Sequence, residues 1–287
     1  MKSNITGGDT VLLFNEKILN KYSISYYQCV DTGYIQTEKP YWLEEAYHSA
    51  ITKLDIGLIK RNISYSEIVE KLIRANFNPL GSFLDYSGGY GMFTRLMRDR
   101  GFDYWNTDKY CQNTFSEFFD LKFHPNGNHF ELTTAFEVME HLEDPINQMN
   151  EPLSYSEHFL FSTELVPSQI DHLKSWWYFT YETGQHVSFY TKDALSYLAE
   201  KCNRYFYTNG QNLHLFTTKK FSKNPFDIFH KEEYPYIYRK MKKKVDRYES
   251  KIAFQNANNE KSICETPLPN LFEQDYYHIK KVLNQKS

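Results

Sequence analysis

The stretch from Phe83 to Phe93 constrains this chain more than any other. An apolar run ends at Asp85, glycines follow at 88, 89 and 91, and a helical apolar pattern starts at once with Met92, Phe93, Leu96 and Met97, ending at Gly101. Strand, glycine turn and helix in that order open a βαβ unit, whose sheet must be at least partly parallel. Glycines let the backbone pass close to a ligand, and a helix start offers N–H groups that have no partner within the helix. Asp108 ends the next strand-like run, Phe102 to Thr107, 23 residues after Asp85. An acidic side chain at that place can accept both hydroxyls of a ribose, so the pair favours a nucleoside-bearing cofactor. The turn is not G-x-G-x-x-G and no Gly-Lys-Ser/Thr follows it, which argues against a dinucleotide pyrophosphate site and against a P-loop.

The alternation continues to about residue 218. His129 to Phe136, His158 to Thr163 and Asn212 to Thr218 read as strands, and Lys192 to Lys201 as a helix that packs through Leu195, Leu198 and Ala199. The fold class is therefore α/β, with helices on the faces of a mostly parallel sheet. Three regions follow: 1–80, an N-terminal cap that covers substrate; 81–220, the cofactor domain; and 221–287, a C-terminal helical extension. The first holds aromatic runs at Tyr26-Tyr27 and Tyr34-Ile35 and then two helix-like segments. In the second of these Ser66 can cap a helix through Ile68, Val69, Leu72, Ile73 and Phe77, which Asn78-Pro79 and Gly81 stop. The third region predicts a helix over Tyr236 to Ala253, whose basic run from Arg239 to Lys244 reads as a solvated face or an acidic-partner contact.

Charge limits the partners. Thirty-three Lys and Arg against 36 Asp and Glu give a formal net charge of −3, so no nucleic-acid partner is expected. No apolar run reaches the roughly 18 to 20 residues of a membrane span, and the start lacks a signal-peptide pattern, which predicts a cytoplasmic protein. Cys29, Cys111, Cys202 and Cys264 are too scattered for a zinc ribbon or a disulfide framework.

A second constellation bears on chemistry. Glu137 stands three residues before Glu140 and four before His141. On one helical turn the three side chains converge. With His186 as a fourth ligand they make a shell for Mg²⁺, Mn²⁺ or Zn²⁺. Without a metal, His141 or His186 is a candidate general base, with Glu140 beside it; a capping or packing role is the third option. Aromatic residues make up 17% of the chain. Trp42, Tyr47, Trp177, Tyr178 and Tyr190 are expected to wall an acceptor cleft for a small-molecule or glycan substrate, since such walls suit a sugar face, with core packing as the alternative for at least half of the aromatics in these segments.

In order and spacing, Phe83 to Phe93, Asn106-Thr107-Asp108 and Thr134 to Leu142 resemble the signature segments of class I S-adenosylmethionine-dependent methyltransferases. Gly184-Gln185-His186 with Phe189-Tyr190, and the run from Gln36 to Tyr47, are similar to segments of the branch found with bacterial capsule and lipopolysaccharide genes. The resemblance covers about 80 to 218. It implies a Rossmann-like, doubly wound, seven-stranded and mostly parallel sheet with an antiparallel last strand. It also implies that Asp85, Tyr86, Gly88, Gly89 and Gly91 form the methionine-side loop, that Asp108 holds the ribose, and that Phe136 and Glu137 lie beside S-adenosylmethionine. Tyr86 departs from the family's usual small residue and adds bulk to the loop. The Glu-x-x-Glu-His pattern with a distant His resembles the metal site of small-RNA terminal 2′-O-methyltransferases, and its first part resembles ubiquinone-pathway O-methyltransferases. The implied activity is O-methylation of a sugar hydroxyl with Mg or Mn holding the acceptor, with a phenolic or quinone-like acceptor, or a degenerate binding protein, as alternatives.

Overall fold

A computed structural model describes residues 1–48, 55–167, 173–229 and 271–285. In chain order its elements begin with strands β1 (Thr10–Ile18), β2 (Tyr22–Cys29) and β3 (Ile35–Thr37), then helices α1 (Leu43–Ala46) and α2 (Leu58–Asn76). The unit foreseen at the glycine turn follows as β4 (Ser82–Tyr86), α3 (Met92–Asp99) and β5 (Asp103–Thr107). Next come β6 (Leu132–Ala135), α4 (Pro145–Gln148), α5 (Asn150–Tyr155), β7 (His158–Ser162), β8 (Ser188–Phe189), α6 (Lys192–Lys201), β9 (Tyr205–Thr208), β10 (Leu213–Thr217) and α7 (Phe272–Gln285).

The main sheet runs β5-β4-β6-β7-β10-β9. Its first four strands are parallel, and β10 lies antiparallel to both of its neighbours. All four residues of β6 are buried, as are the three central ones of β4, the two-sided burial expected of a sheet covered on both faces. On one face, Val69, Leu72 and Ile73 of α2 and Phe93 and Met97 of α3 pack with Phe83, Phe102 and Leu132. On the other, Ala194, Leu195, Leu198 and Ala199 of α6 pack with Phe159, Phe161 and Phe216.

Among the described residues the sheet has six strands, not the expected seven. The place beyond β5 holds a single parallel bridge between Asn106 and Asp120. Side chains there compete with a ladder: Asn113 donates to the Ser116 carbonyl and accepts from its N–H and hydroxyl. Strand β9, pairing with β10, lies in a stretch that no pattern marked.

The aromatic runs near the N-terminus are strands. They form a second, antiparallel sheet in the order β1-β2-β3-β8, whose last strand is contributed from residues 188 and 189. Ser66 is not a cap. Helix α2 starts at Leu58, and Ser66 is buried inside it with its hydroxyl donating to the Ile63 carbonyl at 2.7 Å. The predicted helix over 236–253 and the basic run 239–244 fall outside the described residues. No helix among those described is long and apolar enough to cross a membrane.

The chain places β5 on one side of β4 and β6 on the other. The order therefore reverses between β4 and β6, and the crevice at the carboxyl ends of these strands is where such sheets take ligands.

Candidate active site

A cavity of about 1080 Å³ opens at that crevice. It is at the upper end of small-molecule pockets, which run from roughly 300 to 1,000 Å³, and so has room for a donor and an acceptor together. The turn after β4 forms one wall through Asp85, Tyr86, Gly88 and Gly89; Asp108 follows β5; and Phe136 and Glu137 follow β6.

The glycine turn is held by its neighbours. A side chain at Gly88 would run into the Asn106 side chain and the Asp85 carboxylate. Asp108 accepts the Gly89 N–H at 2.9 Å through one oxygen and those of Tyr110 and Cys111, both at 2.7 Å, through the other. A carboxylate has about four acceptor positions, so Asp108 can fix both loops and still offer a lone pair to a ribose hydroxyl. Burial pushes the Asp85 carboxyl up to about 8, against the Thr134 and Thr94 hydroxyls that meet it. Gly91 is not part of the cavity wall. It caps α3 with φ of +77° and faces Asn113 and Ser116, so its bareness serves the packing of the helix start. These features fit an adenosyl donor: a bare turn, a ribose acceptor and space beside Phe136.

Three of the four expected metal ligands come together. One ligand atom from each of Glu140, His141 and His186 lies within 4.8 Å of the others. The His141 Nδ1 meets the Gln185 carbonyl at 3.1 Å, and the His186 Nδ1 meets the Tyr178 carbonyl at 2.7 Å. A carbonyl only accepts, so each Nδ1 carries the proton and each Nε2 is left as a lone pair. Burial keeps both rings neutral, lowering His141 to about 4 and, with its neighbour's help, His186 to about 3. Glu140 is fully buried and neither carboxylate oxygen has a hydrogen-bond partner; the Tyr178 and Thr163 hydroxyls approach without reaching bonding geometry. Burial and the nearby Glu137 raise its carboxyl well above the usual range.

Glu137 does not join this cluster. Its backbone takes a left-handed φ of +56°, its N–H donates to the Ser162 hydroxyl, and its carboxylate accepts from the same hydroxyl at 2.6 Å. Its other oxygen stands 4.0 Å from Arg61. The convergence expected of one helical turn fails because the turn begins only at Met139, as a short 3-10 segment.

Of the expected acceptor walls, Tyr47, Trp177 and Tyr178 line the cavity, and Trp177 is 68% exposed at its rim. Trp42 and Tyr190 do not reach it. Trp42 is buried in the core of the N-terminal sheet with its indole N–H on the Gly184 carbonyl, and Tyr190 is buried with its hydroxyl on the Met139 carbonyl. Each buries a large ring and satisfies its polar end on the main chain. Sequence reasoning missed Asp55, Arg61 and Tyr65, which also line the cavity. Arg61 pairs with Asp55 at 2.8 Å, and the Tyr65 ring lies 4.7 Å from Phe136. Arg61 and Tyr65 are four residues apart on α2, the only signal available, and placing the helix start at Ser66 left it unread.

A family model described as a methyltransferase domain matches residues 60–203. The chain belongs to that methyltransferase family. No curated protein matches it. Similar solved structures include a methyltransferase of calicheamicin biosynthesis in its SAH-bound form, at 12% identity over 61% of each chain with a TM-score of 0.39. An O-methyltransferase family protein from Burkholderia thailandensis is 8% identical over 62% of this chain and 63% of its own, with a TM-score of 0.43. The magnesium protoporphyrin IX methyltransferase of Synechocystis PCC 6803 with bound SAH is 12% identical over 62% of this chain and 95% of its own, with a TM-score of 0.42. The methyltransferase thus spans less than two thirds of the first two of these proteins.

Proposed function

We propose that this methyltransferase transfers a methyl group from S-adenosylmethionine to a hydroxyl of a sugar or glycan acceptor, with a divalent cation such as Mg or Mn held by Glu140, His141 and His186. The observation that carries the reading is the convergence of three ligand atoms within 4.8 Å: two imidazoles whose Nδ1–H groups are spent on main-chain carbonyls, leaving each Nε2 as a lone pair, and a buried Glu140 carboxyl with no hydrogen bond of its own. Buried acceptors without donors are costly unless a cation or proton satisfies them. The two imidazoles border the cavity that also holds the glycine turn and Asp108, and Glu140 lies buried behind them.

The donor supplies a methyl group on a sulfonium, and a cation in the cluster would act as a Lewis acid that eases deprotonation of an alcohol. The protein's own part is alignment, which in a displacement reaction supplies much of the rate. Asp108 takes the ribose, Phe136 gives the donor an apolar wall, and the rings of Tyr47 and Trp177 offer faces to the acceptor. Polar side chains of Asn62, Thr180 and Thr183 line the same space and suit several hydroxyls. The resemblance of the 184–190 segment to the surface-glycan branch supports a bacterial polysaccharide intermediate as acceptor, and with it a cytoplasmic enzyme.

Calorimetry with S-adenosylhomocysteine tests the donor; a folded sample that shows no binding at high micromolar ligand removes it. Mn²⁺ titration of the wild type and of Glu140→Gln tests the cation. Wild-type binding lost in the variant, with S-adenosylhomocysteine affinity kept within about twofold, is the expected result. Full methyl transfer after exhaustive chelation would leave an imidazole Nε2 as the base instead. A screen of sugars and sugar nucleotides against phenols decides the acceptor class.

A further inference from the structure

Trp42 does not reach the cavity, yet its one polar contact lies next to the groups that aim both imidazoles. The main chain from Tyr178 to Val187 supplies the Tyr178 carbonyl to His186, the Gln185 carbonyl to His141 and the Val187 N–H to the Glu140 carbonyl. From the N-terminal side, the Leu19 N–H on the Tyr181 carbonyl and the Thr37 N–H on the Val187 carbonyl secure this segment through the main chain, and two side-chain bonds hold it at Gly184 and Gln185. The Trp42 Nε1–H donates to the Gly184 carbonyl at 2.8 Å, and the Gln185 side-chain amide donates to the Ala46 carbonyl at 2.8 Å. The first fixes the plane of the peptide that enters Gln185 and the second fixes its side chain, so together they set where the Gln185 carbonyl points.

The contact is also close. Gly184 has φ of +63°, and a side chain there would meet Ile18 and Leu19 at 3.2 Å and the Trp42 ring at 3.4 Å. Only a glycine lets the segment lie flush on the N-terminal sheet. Trp42 is 1% exposed, and a buried indole N–H that loses its acceptor is costly, so the bond strongly favours one position of the loop.

We infer that Trp42 is a positioning residue for the active-site imidazoles: through the Gly184 carbonyl it holds the 178–187 main chain in the place from which His141 and His186 are oriented. The N-terminal region then builds the site from behind as well as bordering it through Tyr47. The orientation of the rings is a property of the metal-free protein; only its effect on cation affinity rests on the function proposed above.

The experiment compares Trp42→Phe, which keeps the ring and drops the N–H, with Gln185→Met and with Phe14→Leu, a change in the same core that does not touch Gly184. In metal-free protein, proton–nitrogen NMR reads the Nδ1–H signals of His141 and His186 and their exchange with water. Trp42→Phe is expected to speed exchange of the His141 proton about tenfold or broaden it away, while Phe14→Leu leaves it intact. Mn²⁺ affinity should fall about tenfold, the lower end for changes behind a ligating histidine, with S-adenosylhomocysteine affinity within twofold. Should Trp42→Phe fail to fold, Gln185→Met must show the same signature. Unchanged imidazole signals in Trp42→Phe, or in Gln185→Met when only that variant folds, overturn the inference, as does an equal loss in Phe14→Leu. A wild type that binds no Mn²⁺ removes the cation reading alone, since the exchange measurement still decides the role of Trp42.

Discussion

Removing Asp275 should release the C-terminal helix while leaving the sheet intact. This carboxylate, 3% exposed, accepts the Arg98 Nε at 2.9 Å and Nη2 at 2.7 Å, and a second guanidinium, that of Arg95, lies at 2.8 Å. Arg98 is itself buried, stacked 3.8 Å from the centre of the Phe119 ring. Deleting one partner of a buried pair costs about 3–5 kcal/mol because the other charge is stranded. Here Arg98 keeps Asp103 at 2.9 Å and the Tyr104 carbonyl, so the lower figure of about 3 kcal/mol applies to Asp275→Ala. At about 1.4 kcal/mol per factor of ten, the population with α7 released rises about 100-fold. Hydrogen exchange read by mass spectrometry on a peptide covering 272–285, beside peptides from β4 and β6, measures it. Faster exchange confined to α7 is expected, with recovery in a doubly apolar variant, Asp275→Leu with Arg98→Met. The reasoning is refuted if exchange of α7 is unchanged, or if every peptide speeds up together.

Other expectations concern the donor loop and pH. Asp108→Ala strips acceptors from three N–H groups and should weaken S-adenosylhomocysteine binding at least tenfold by calorimetry, whereas Asp108→Asn, which keeps one carbonyl acceptor, loses less. Gly88→Ala, forced against Asp85 and Asn106, should cost about 1–3 kcal/mol in urea unfolding and lower the same affinity; Gly127→Ala, open to solvent, should leave affinity alone. Burial holds His214 at about 4 while its ring bonds Thr208 and the Thr163 carbonyl. Between its usual 6.5 and about 4, only the unfolded chain takes the proton. Its stabilising effect is therefore full above pH 6.5 and lost as pH falls through 4, by about 3 kcal/mol in all. Urea midpoints from pH 7.5 to 4.5 should fall less steeply in His214→Gln; parallel slopes would reject this.

Much of the cofactor half was legible because its signals are local. A glycine turn between strand and helix states its own geometry, and the strand from Phe83 and the helix from Met92 lie where the pattern placed them. The Glu140, His141 and His186 cluster was readable in part, since Glu140 and His141 share a short turn, whereas the place of His186 depends on a segment folded back from 45 residues downstream. Glu137 was misplaced because spacing arguments assume helical backbone, and its φ of +56° breaks that assumption. Aromatic residues near a site in sequence cannot reveal which way a ring points, and so Trp42 and Tyr190, which are buried in the core, were expected at the cavity wall. A two-residue strand such as β8 carries no period to detect.

That short strand has a consequence for modularity. Ser188 and Phe189 pair with β3 in the N-terminal sheet, and three residues later the same chain enters α6, which packs on the main sheet. One uninterrupted stretch is thus shared by both sheets, so no cut near residue 80 separates two self-sufficient pieces. A truncation there would leave β8 without its partners, and a fusion that borrowed only residues 81–220 would inherit an unpaired edge. For protein engineering, the N-terminal sheet and the methyltransferase core are one transplantable unit, and recombination between relatives would have to carry them together.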